Sequence, residues 1–429
     1  MSNDVLLDLV FDEISVWEKI IDKGVNIKHI NPMLINDMCQ IGTRCDLKIR
    51  IQNHKYKITP AHEAQIPKDN GQMRTIYVNE AQDRILLSAI NNVIAKHCMS
   101  EFVNKNCVSY KEKIGCGKID KHVQKELIRL KKEHPKTFKA YKLDLSKYFD
   151  NVPRKYIDEV LDKLELKFGK SSVIDLLREY YHNDTIIDLN KNEITKYTSL
   201  RQGCAFAAFL ADCVLKDMDD DLSKMPIFYC RYSDDILIMG DETHVDNGLQ
   251  RIKQHLSNKQ LELNDKKVEL LFQKNKKWFI FLGFTINEND ITLSKNRVKN
   301  LKKEIDEICR TSKTKENALR RIYRYLYDKG STFSYVETVF PIVTNKRDLH
   351  ELDMYILDKV KSNPGEKIGG LGIDLVRKNH VVTRSIGRDV KKIKQRKLSI
   401  NYTTMSYMWF LFNTDRNAYN IICNELMNT

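Results

Sequence analysis

Between Asp4 and Ile21 apolar side chains return at helical spacing, at Leu6, Leu9, Val10, Ile14, Trp17, Ile20 and Ile21. Asp4 stands where an N-cap belongs, so the pattern predicts an N-terminal helix. Residues 47–58, LKIRIQNHKYKI, alternate apolar and polar and predict a strand. IPKDNGQMRTIYV (66–78) carries two strand-like runs around Asp-Asn-Gly, a hairpin. A helical pattern runs from Ala81 to about His97, and another, basic on its outer face, covers 121–134. AYKLDLSKYFDNV (140–152) reads as a strand ending in a turn near Asn151–Pro153.

The middle of the chain mixes both periods. RQGCAFAAFLADCVLKDM (201–218) predicts a helix fed by a turn at Gly203. IFYCRYSDDILIMG (227–240) predicts two strands around a tight turn at Ser233–Asp234, and KWFIFLGFTI (277–286) a further strand. Beyond about 290, KNRVKNLKKEIDEICR and NALRRIYRYLYDKG are basic amphipathic helices. In the first, Val298, Leu301, Ile305 and Ile308 form the apolar stripe; in the second, Leu319, Ile322 and Leu326 face inward while Arg320, Arg321 and Arg324 project. SNPGEKIGGLGID (362–374) holds the densest Pro/Gly punctuation and marks a boundary or loop. Residues 377–397 then carry nine basic residues and one acid.

Composition narrows the partners. The 72 Lys and Arg against 58 Asp and Glu leave a net charge of +14, which suits a nucleic acid or an anionic surface. The ten cysteines form no C-x-x-C pair and have no His cluster beside them, which speaks against zinc and for a reducing cytosol. The N-terminus MSNDVLLDLVFDEI is acidic where a signal peptide is basic, and no apolar stretch approaches the ~20 residues of a membrane span. The expectation is a cytoplasmic protein without a membrane partner.

The candidate chemistry lies in carboxylates. Asp144 ends an apolar strand pattern, and Asp234 and Asp235 sit at the tip of a hairpin. Carboxylates held out on adjacent strand ends suit hard cations such as Mg²⁺, which keep substrate phosphates in their shell. Two such ions about 4 Å apart activate an attacking hydroxyl and stabilise the leaving oxygen in phosphoryl transfer. Taken singly, an Asp-Asp turn is also ordinary turn chemistry. Asp219, Asp220 and Asp221 follow a predicted helix and read as solvated surface.

The ordered set around the hairpin resembles the reverse transcriptases. KLDLSKYFD (142–150) is similar to their motif A, LRQGCAFAAFLAD (200–212) to motif B, YSDD (232–235) to motif C, LELNDKK (261–267) to motif D and FLGFTI (281–286) to motif E. IPKDNGQMR (66–74) resembles the fingers hairpin. Its spelling, with AQDRILLSAI after it and CVSYKEKIGCGK (107–118) beyond, resembles the group II intron, retron and related bacterial enzymes.

The resemblance implies an α+β fold: a right-hand polymerase with fingers and palm, of antiparallel sheet plus helices, and an α-helical thumb and C-terminal region. The implied divisions are an N-terminal helical extension and start of the fingers (1–59), fingers and palm (60–293), a helical thumb (294–345) and a basic extension without assignment (346–429). Asp144, Asp234 and Asp235, with the carbonyl of Leu145, would surround two Mg²⁺ ions, Mn²⁺ being the alternative. Lys68 and Arg74 would reach the triphosphate of a dNTP. Phe149 would lie under the sugar and exclude a 2′-hydroxyl, while Gln202 and Gly203 would pack beneath the nascent base pair. Lys267 would stand near the leaving pyrophosphate. Lys299, Lys302, Arg320, Arg321 and Arg324 would hold the template–primer duplex by its phosphates.

Three features depart from the family pattern: Arg201 before Gln202, Ala207–Ala208 where Ser-Pro is usual, and Ser233 where Ala is commoner. With no H-N-H nuclease pattern and no RNase H-like acidic cluster, they point toward the defence-associated "unknown group" or abortive-infection reverse transcriptases. That likeness implies an RNA-directed DNA polymerase with a structured noncoding RNA template, a DNA or RNA–DNA product and a role against phage, and leaves an oligomer open. The alternatives are a retron-type enzyme, template-independent or protein-primed synthesis, an RNA polymerase, which Phe149 opposes, and an idle RNA-binding palm module. Tyr402, Tyr407, Trp409 and Phe410 read as core, and 377–397 as an RNA-binding or solvated helix.

Overall fold

The structure, a computed structural model, describes residues 4–24, 30–67, 72–109, 116–273, 276–327 and 335–362. The expectations for Lys68, for residues 377–397 and for Tyr402, Tyr407, Trp409 and Phe410 lie outside them. Two compact units divide the chain: residues 1–112 with 129–274, and residues 113–128 with 275–429.

The core of the first unit forms around the helix Ala81–Phe102, which buries Ile85, Leu86, Leu87, Ala89, Ile90, Val93, Ile94 and Cys98. Only Lys96, Ser100 and Glu101 of this helix are exposed, so it runs through the interior. Its buried Asp83 is satisfied by the Tyr56 hydroxyl at 2.5 Å and the Thr59 amide at 2.9 Å. The N-terminal pattern forms two helices, Val5–Asp12 and Ile14–Gly24, where one was expected. They part at Glu13, whose carboxylate is engaged by Ser15 and Lys96. Asp4 does cap the first, accepting from the Leu7 amide at 3.0 Å, and also takes the Ser172 amide at 2.8 Å. The strand expected over 47–58 does not form: residues 53–58 are turn and irregular chain, and 47–52 belong to the helix Ile41–Gln52. Only Leu47 and Ile51, four apart, are buried there while Ile49 is exposed, so the alternation hid a helical stripe.

Eleven strands form three sheets among the described residues. In the first, β1 (Ala61–Pro67) pairs antiparallel with β2 (Met73–Val78) from His62↔Val78 to Pro67↔Met73, as the hairpin pattern predicted. β1 also runs parallel to β4 (Thr185–Ile187), which pairs with β5 (Glu193–Thr195). The second sheet is antiparallel in the order β6-β7-β3-β8, with β3 Phe138–Asp144, β6 Phe228–Tyr232, β7 Asp235–Asp241 and β8 Glu269–Leu270. Ile236 to Met239 of β7 are fully buried, as befits an inner strand covered on both faces. β3 stops at Asp144, and one helical turn, Tyr148–Asn151, follows before the expected turn.

The helix expected over 201–218 is two, Ala207–Val214 and Lys216–Leu222. The acid run 219–221 lies in the second, and its reading as solvated surface is wrong for Asp219. That carboxylate is fully buried and ion-paired with Arg231 of β6 at 2.6 Å. Asp220 and Asp221 pair with Lys216 and Arg251.

The third sheet, in the second unit, is β9 (Phe279–Phe281), β10 (Phe284–Ile286) and β11 (Ile291–Leu293). The single strand expected at 277–286 is thus a hairpin, turned by Leu282 and Gly283 at φ 45° and 80°. Ser294 caps the helix Lys295–Arg310, which buries Leu301, Ile305 and Ile308. The helix Lys315–Tyr327 buries Ala318, Ile322 and Leu326, and Lys346–Ser362 completes the described part. The α+β expectation holds, and no described helix is long and apolar enough to cross a membrane.

At Gly283 a Cβ would run into the Arg297 guanidinium, 2.7 Å from its central carbon, in a backbone region that L side chains avoid. Gly283→Ala is expected to lower the unfolding free energy by about 1–3 kcal/mol, read in denaturant melts.

Candidate active site

The register of β3 against β7 sets Asp144 opposite Asp235, the last pair of a seven-residue ladder. The ladder continues past the strand end, where the Leu145 amide donates to the Asp234 carbonyl at 3.2 Å. Residues 262–264 clamp the other side: the Ser146 amide donates to Glu262 and the Asn264 amide to the Asp144 carbonyl, at 2.9 and 2.8 Å. Asp234 and Ser233 form a two-residue turn between Tyr232 and Asp235, with Ser233 at φ 55°. The three acids singled out in the sequence therefore come together on neighbouring strand ends.

Their electrostatics are unfavourable as they stand. Burial, then the charges of Asp235 and Asp144, push the Asp234 carboxyl up to about 6. Burial, then Asp144, also raises Asp235, offset by Lys142 at 3.6 Å and by Lys267. The Lys267 ammonium, which the resemblance placed near the pyrophosphate, donates to both oxygens of Asp144, at 2.9 and 2.8 Å. Among the described residues no three acid, imidazole or thiol groups converge closely enough to hold a metal ion. The donor chemistry nevertheless fits a hard divalent cation: the acids supply only oxygen, repel one another, and already draw an ammonium group.

The neighbouring residues are assembled by backbone contacts. The Tyr77 amide of β2 donates to the Gln202 carbonyl at 2.8 Å. Gly203, at φ 115°, lies so near that a Cβ would stand 2.8 Å from the Tyr77 carbonyl oxygen. Glycine is required where two backbones approach this closely. Phe149 is half-buried, edge-on to Tyr148 at 5.8 Å, and its carbonyl accepts the Leu200 amide at 3.1 Å. This ties Phe149 to the loop that carries Gln202. Arg74 is exposed on β2, opposite Ile66.

Arg201, an apparent anomaly in the sequence, proves to be a strut. It is 2% exposed, stacks over Tyr180 at 4.2 Å and donates to Thr198 Oγ1 at 2.9 Å and to the Asn183 carbonyl.

In the second unit Lys299 is exposed, while the Lys302 ammonium packs over Tyr355 at 4.8 Å. Arg321 does not project as expected. Its guanidinium donates to Thr311 Oγ1 at 2.9 Å and Ser312 Oγ at 3.0 Å, bracing the end of the helix Lys295–Arg310. The side chains of Leu319, Arg320 and Arg324 lie outside the described residues. Arg231, Asp212, Asp219 and Ser109, packed beneath the Ser233 turn, were missed. An Arg inside the apolar run IFYCRY and an Asp inside AAFLADCVL were the available signals.

Residues 66–286, just over half of the 429, match the family model described as reverse transcriptase (RNA-dependent DNA polymerase). No curated protein matches the chain. Among solved structures it is similar to a telomerase from Candida albicans in complex with a TWJ fragment of telomeric RNA, at 13% identity and a TM-score of 0.40, over 82% of this chain and 66% of that one. It is also similar to an apo telomerase from Candida tropicalis truncated from its C-terminal domain, at 14% identity and a TM-score of 0.40, over 55% of each chain. The chain thus spans just under two thirds and about half of these two proteins.

A carboxyl raised in the folded state makes the fold lose stability as pH rises from the ordinary carboxylate range to about 6. Without divalent cations, Asp234→Asn should melt a few degrees above the parent protein at pH 7.5. The gap should close near pH 4, as followed by thermal melts in EDTA.

Proposed function

The chain belongs to the reverse transcriptase family, and from that premise we propose that it is an RNA-directed DNA polymerase that extends a 3′-hydroxyl with dNTPs. The observation that carries this reading is the meeting of Asp144, Asp234 and Asp235 on paired strand ends, inside the region that matches the family. An idle palm scaffold has no need to hold three mutually repelling acids together.

Asp144, Asp234, Asp235 and the Leu145 carbonyl would hold Mg²⁺, or Mn²⁺ in its place. When bound, the metal supplies Lewis acidity toward the hydroxyl and the phosphate. The protein's own residues do the rest. Arg74, with Lys68, would grip the triphosphate, and a forked guanidinium suits that task. Phe149 would pack against the sugar where a 2′-hydroxyl would project, selecting dNTPs. Gln202 and Gly203 would bear on the nascent pair. Lys267, held by Asp144 without metal, would be released toward the pyrophosphate oxygens. In the second unit the exposed Lys299, with Arg320 and Arg324, would neutralise duplex phosphates. Residues 60–293 would then be fingers and palm, and 294–345 the thumb.

The spelling of the fingers hairpin and the departures in motif B support placing the chain among the bacterial defence-associated enzymes. The substrate RNA would then be a structured noncoding RNA, in the cytoplasm, with cDNA as product.

The purified protein with its co-purifying RNA should incorporate labelled dNTPs in Mg²⁺, and RNase should abolish this. RNase-resistant synthesis would instead indicate template-free or protein-primed extension. The Asp234→Ala, Asp235→Ala double variant should lose at least about a hundredfold in rate, and the Mg²⁺-dependent rise in melting temperature with it. Phe149→Ala should raise rNTP incorporation relative to dNTP by roughly tenfold or more, measured as a kcat/KM ratio.

A further inference from the structure

Arg231 is an arginine in the middle of an otherwise apolar strand, and it is completely buried. Each of its guanidinium nitrogens is engaged. Nε and Nη2 donate to the two carboxylate oxygens of Asp219, at 2.8 and 2.6 Å. Nη2 also reaches the Asp212 carbonyl at 3.0 Å, and Nη1 donates to the Ser233 carbonyl at 3.0 Å. Nη1 stands 3.7 Å from Asp212 Oδ1. Asp219 further accepts the Tyr229 hydroxyl.

Ser109 completes the set. Its hydroxyl donates to Asp212 Oδ1 at 2.7 Å and accepts the Ser233 amide at 2.9 Å. Ser109 is itself held on the outer edge of β6, because the Val108 amide donates to the Arg231 carbonyl at 2.8 Å and the Arg231 amide to Asn106 at 2.9 Å. Both backbone polar groups of Ser233 are thus fastened to one buried network, the carbonyl by Arg231 and the amide by Ser109.

Ser233 is the residue before Asp234, and it is held at φ 55°, a left-handed conformation that a side chain other than glycine's disfavours. Such a conformation persists only where the surroundings over-determine it. Buried ion pairs contribute little net stability, because desolvation offsets attraction, and in some proteins they serve to specify a geometry instead. We infer that Arg231, Asp219, Asp212 and Ser109 are positioning residues: by gripping both polar groups of Ser233 they set the direction in which Asp234 and Asp235 leave the turn. The inference rests on the polymerase reading for its consequence and on these contacts for its substance. All four are fully buried and act through another group. Their effect is transmitted through one peptide unit on either side of Ser233.

The test separates aim from folding. Arg231→Ala would strand two buried carboxylates and is a poor probe, since it can fail to fold. Ser109→Ala removes one hydroxyl and leaves the Arg231–Asp219 pair intact. Nucleotide extension in that variant should show kcat reduced by about tenfold to a hundredfold, as an ångström-scale misplacement produces, with the KM for dNTP within about twofold. Thermal melts titrated with Mg²⁺ should show half-saturation moved several-fold upward, while the metal-free midpoint stays within a few degrees of the parent. Arg231→Lys should show the same pattern more strongly, since a lysine cannot serve Asp219 and Ser233 together. If rate per folded molecule and Mg²⁺ half-saturation are both unchanged in Ser109→Ala, the positioning role is overturned and the network is merely structural. A parent protein that incorporates no nucleotide with any template overturns the polymerase reading instead. The Mg²⁺ titration of melting then still decides the network, unchanged half-saturation sinking it and a several-fold shift supporting it.

Discussion

The pairing of β3 with β7 is the constraint on which the rest of the site depends. A strand shows alternate side chains to opposite faces, so a slip of one residue would turn Asp144 away from Asp235. The slip is opposed by the seven-residue ladder itself, which continues past the strand end through Leu145 to Asp234, and by the Asn264 amide, which holds the Asp144 carbonyl on the other side. Backbone pairing along the strands thus holds in place the three residues least inclined to be neighbours.

The cost of that arrangement is visible in the charges. Burial and mutual repulsion raise Asp234 and Asp235, and two lysines, 142 and 267, lean in from either side. Beneath the turn the polarity is reversed. Arg231 is fully buried between carboxylates and is spent on holding a peptide rather than on neutralising the site. Local rules of stability are broken at one place and compensated by the ordinary packing around it, as is expected where a fold carries chemistry. The helix Ala81–Phe102, largely buried, supplies much of that packing.

Arg201 and Arg231 illustrate two uses of arginine that look alike in a sequence. Arg201 lies within motif B and Arg231 just before motif C, and each is buried. Arg201 stacks on Tyr180 and ties down the loop that brings Gln202 and Gly203 against β2. The departure from the family pattern at Arg201 is an internal brace. Arg321 repeats the lesson in the second unit, where a basic side chain on a helix facing outward by periodicity turns back to hold the end of the preceding helix. Long cationic side chains cover whatever carbonyls and hydroxyls lie within reach, and periodicity fixes only the direction of their first carbon.

The sequence by itself determined the chemical kind of the site and most of the elements that carry it. Period-2 runs ending in acids and a hairpin with Ser-Asp at its tip were legible because strand alternation and turn preference act over a few residues. The helix over 47–52 and the hairpin within 277–286 were not legible, because each turned on which apolar residues found a buried face and which backbone adopted positive φ. The burial of Asp219 likewise required knowing that Arg231 would stand across from it, twelve residues on in the chain, on another element. Tertiary structure alone decided that one acid of the run 219–221 is interior, that Lys267 lies on Asp144, and that Ser233 is gripped from both sides. Those outcomes depend on distances between residues far apart in sequence, and a charge has a defined energy only once its neighbours and its distance from water are set.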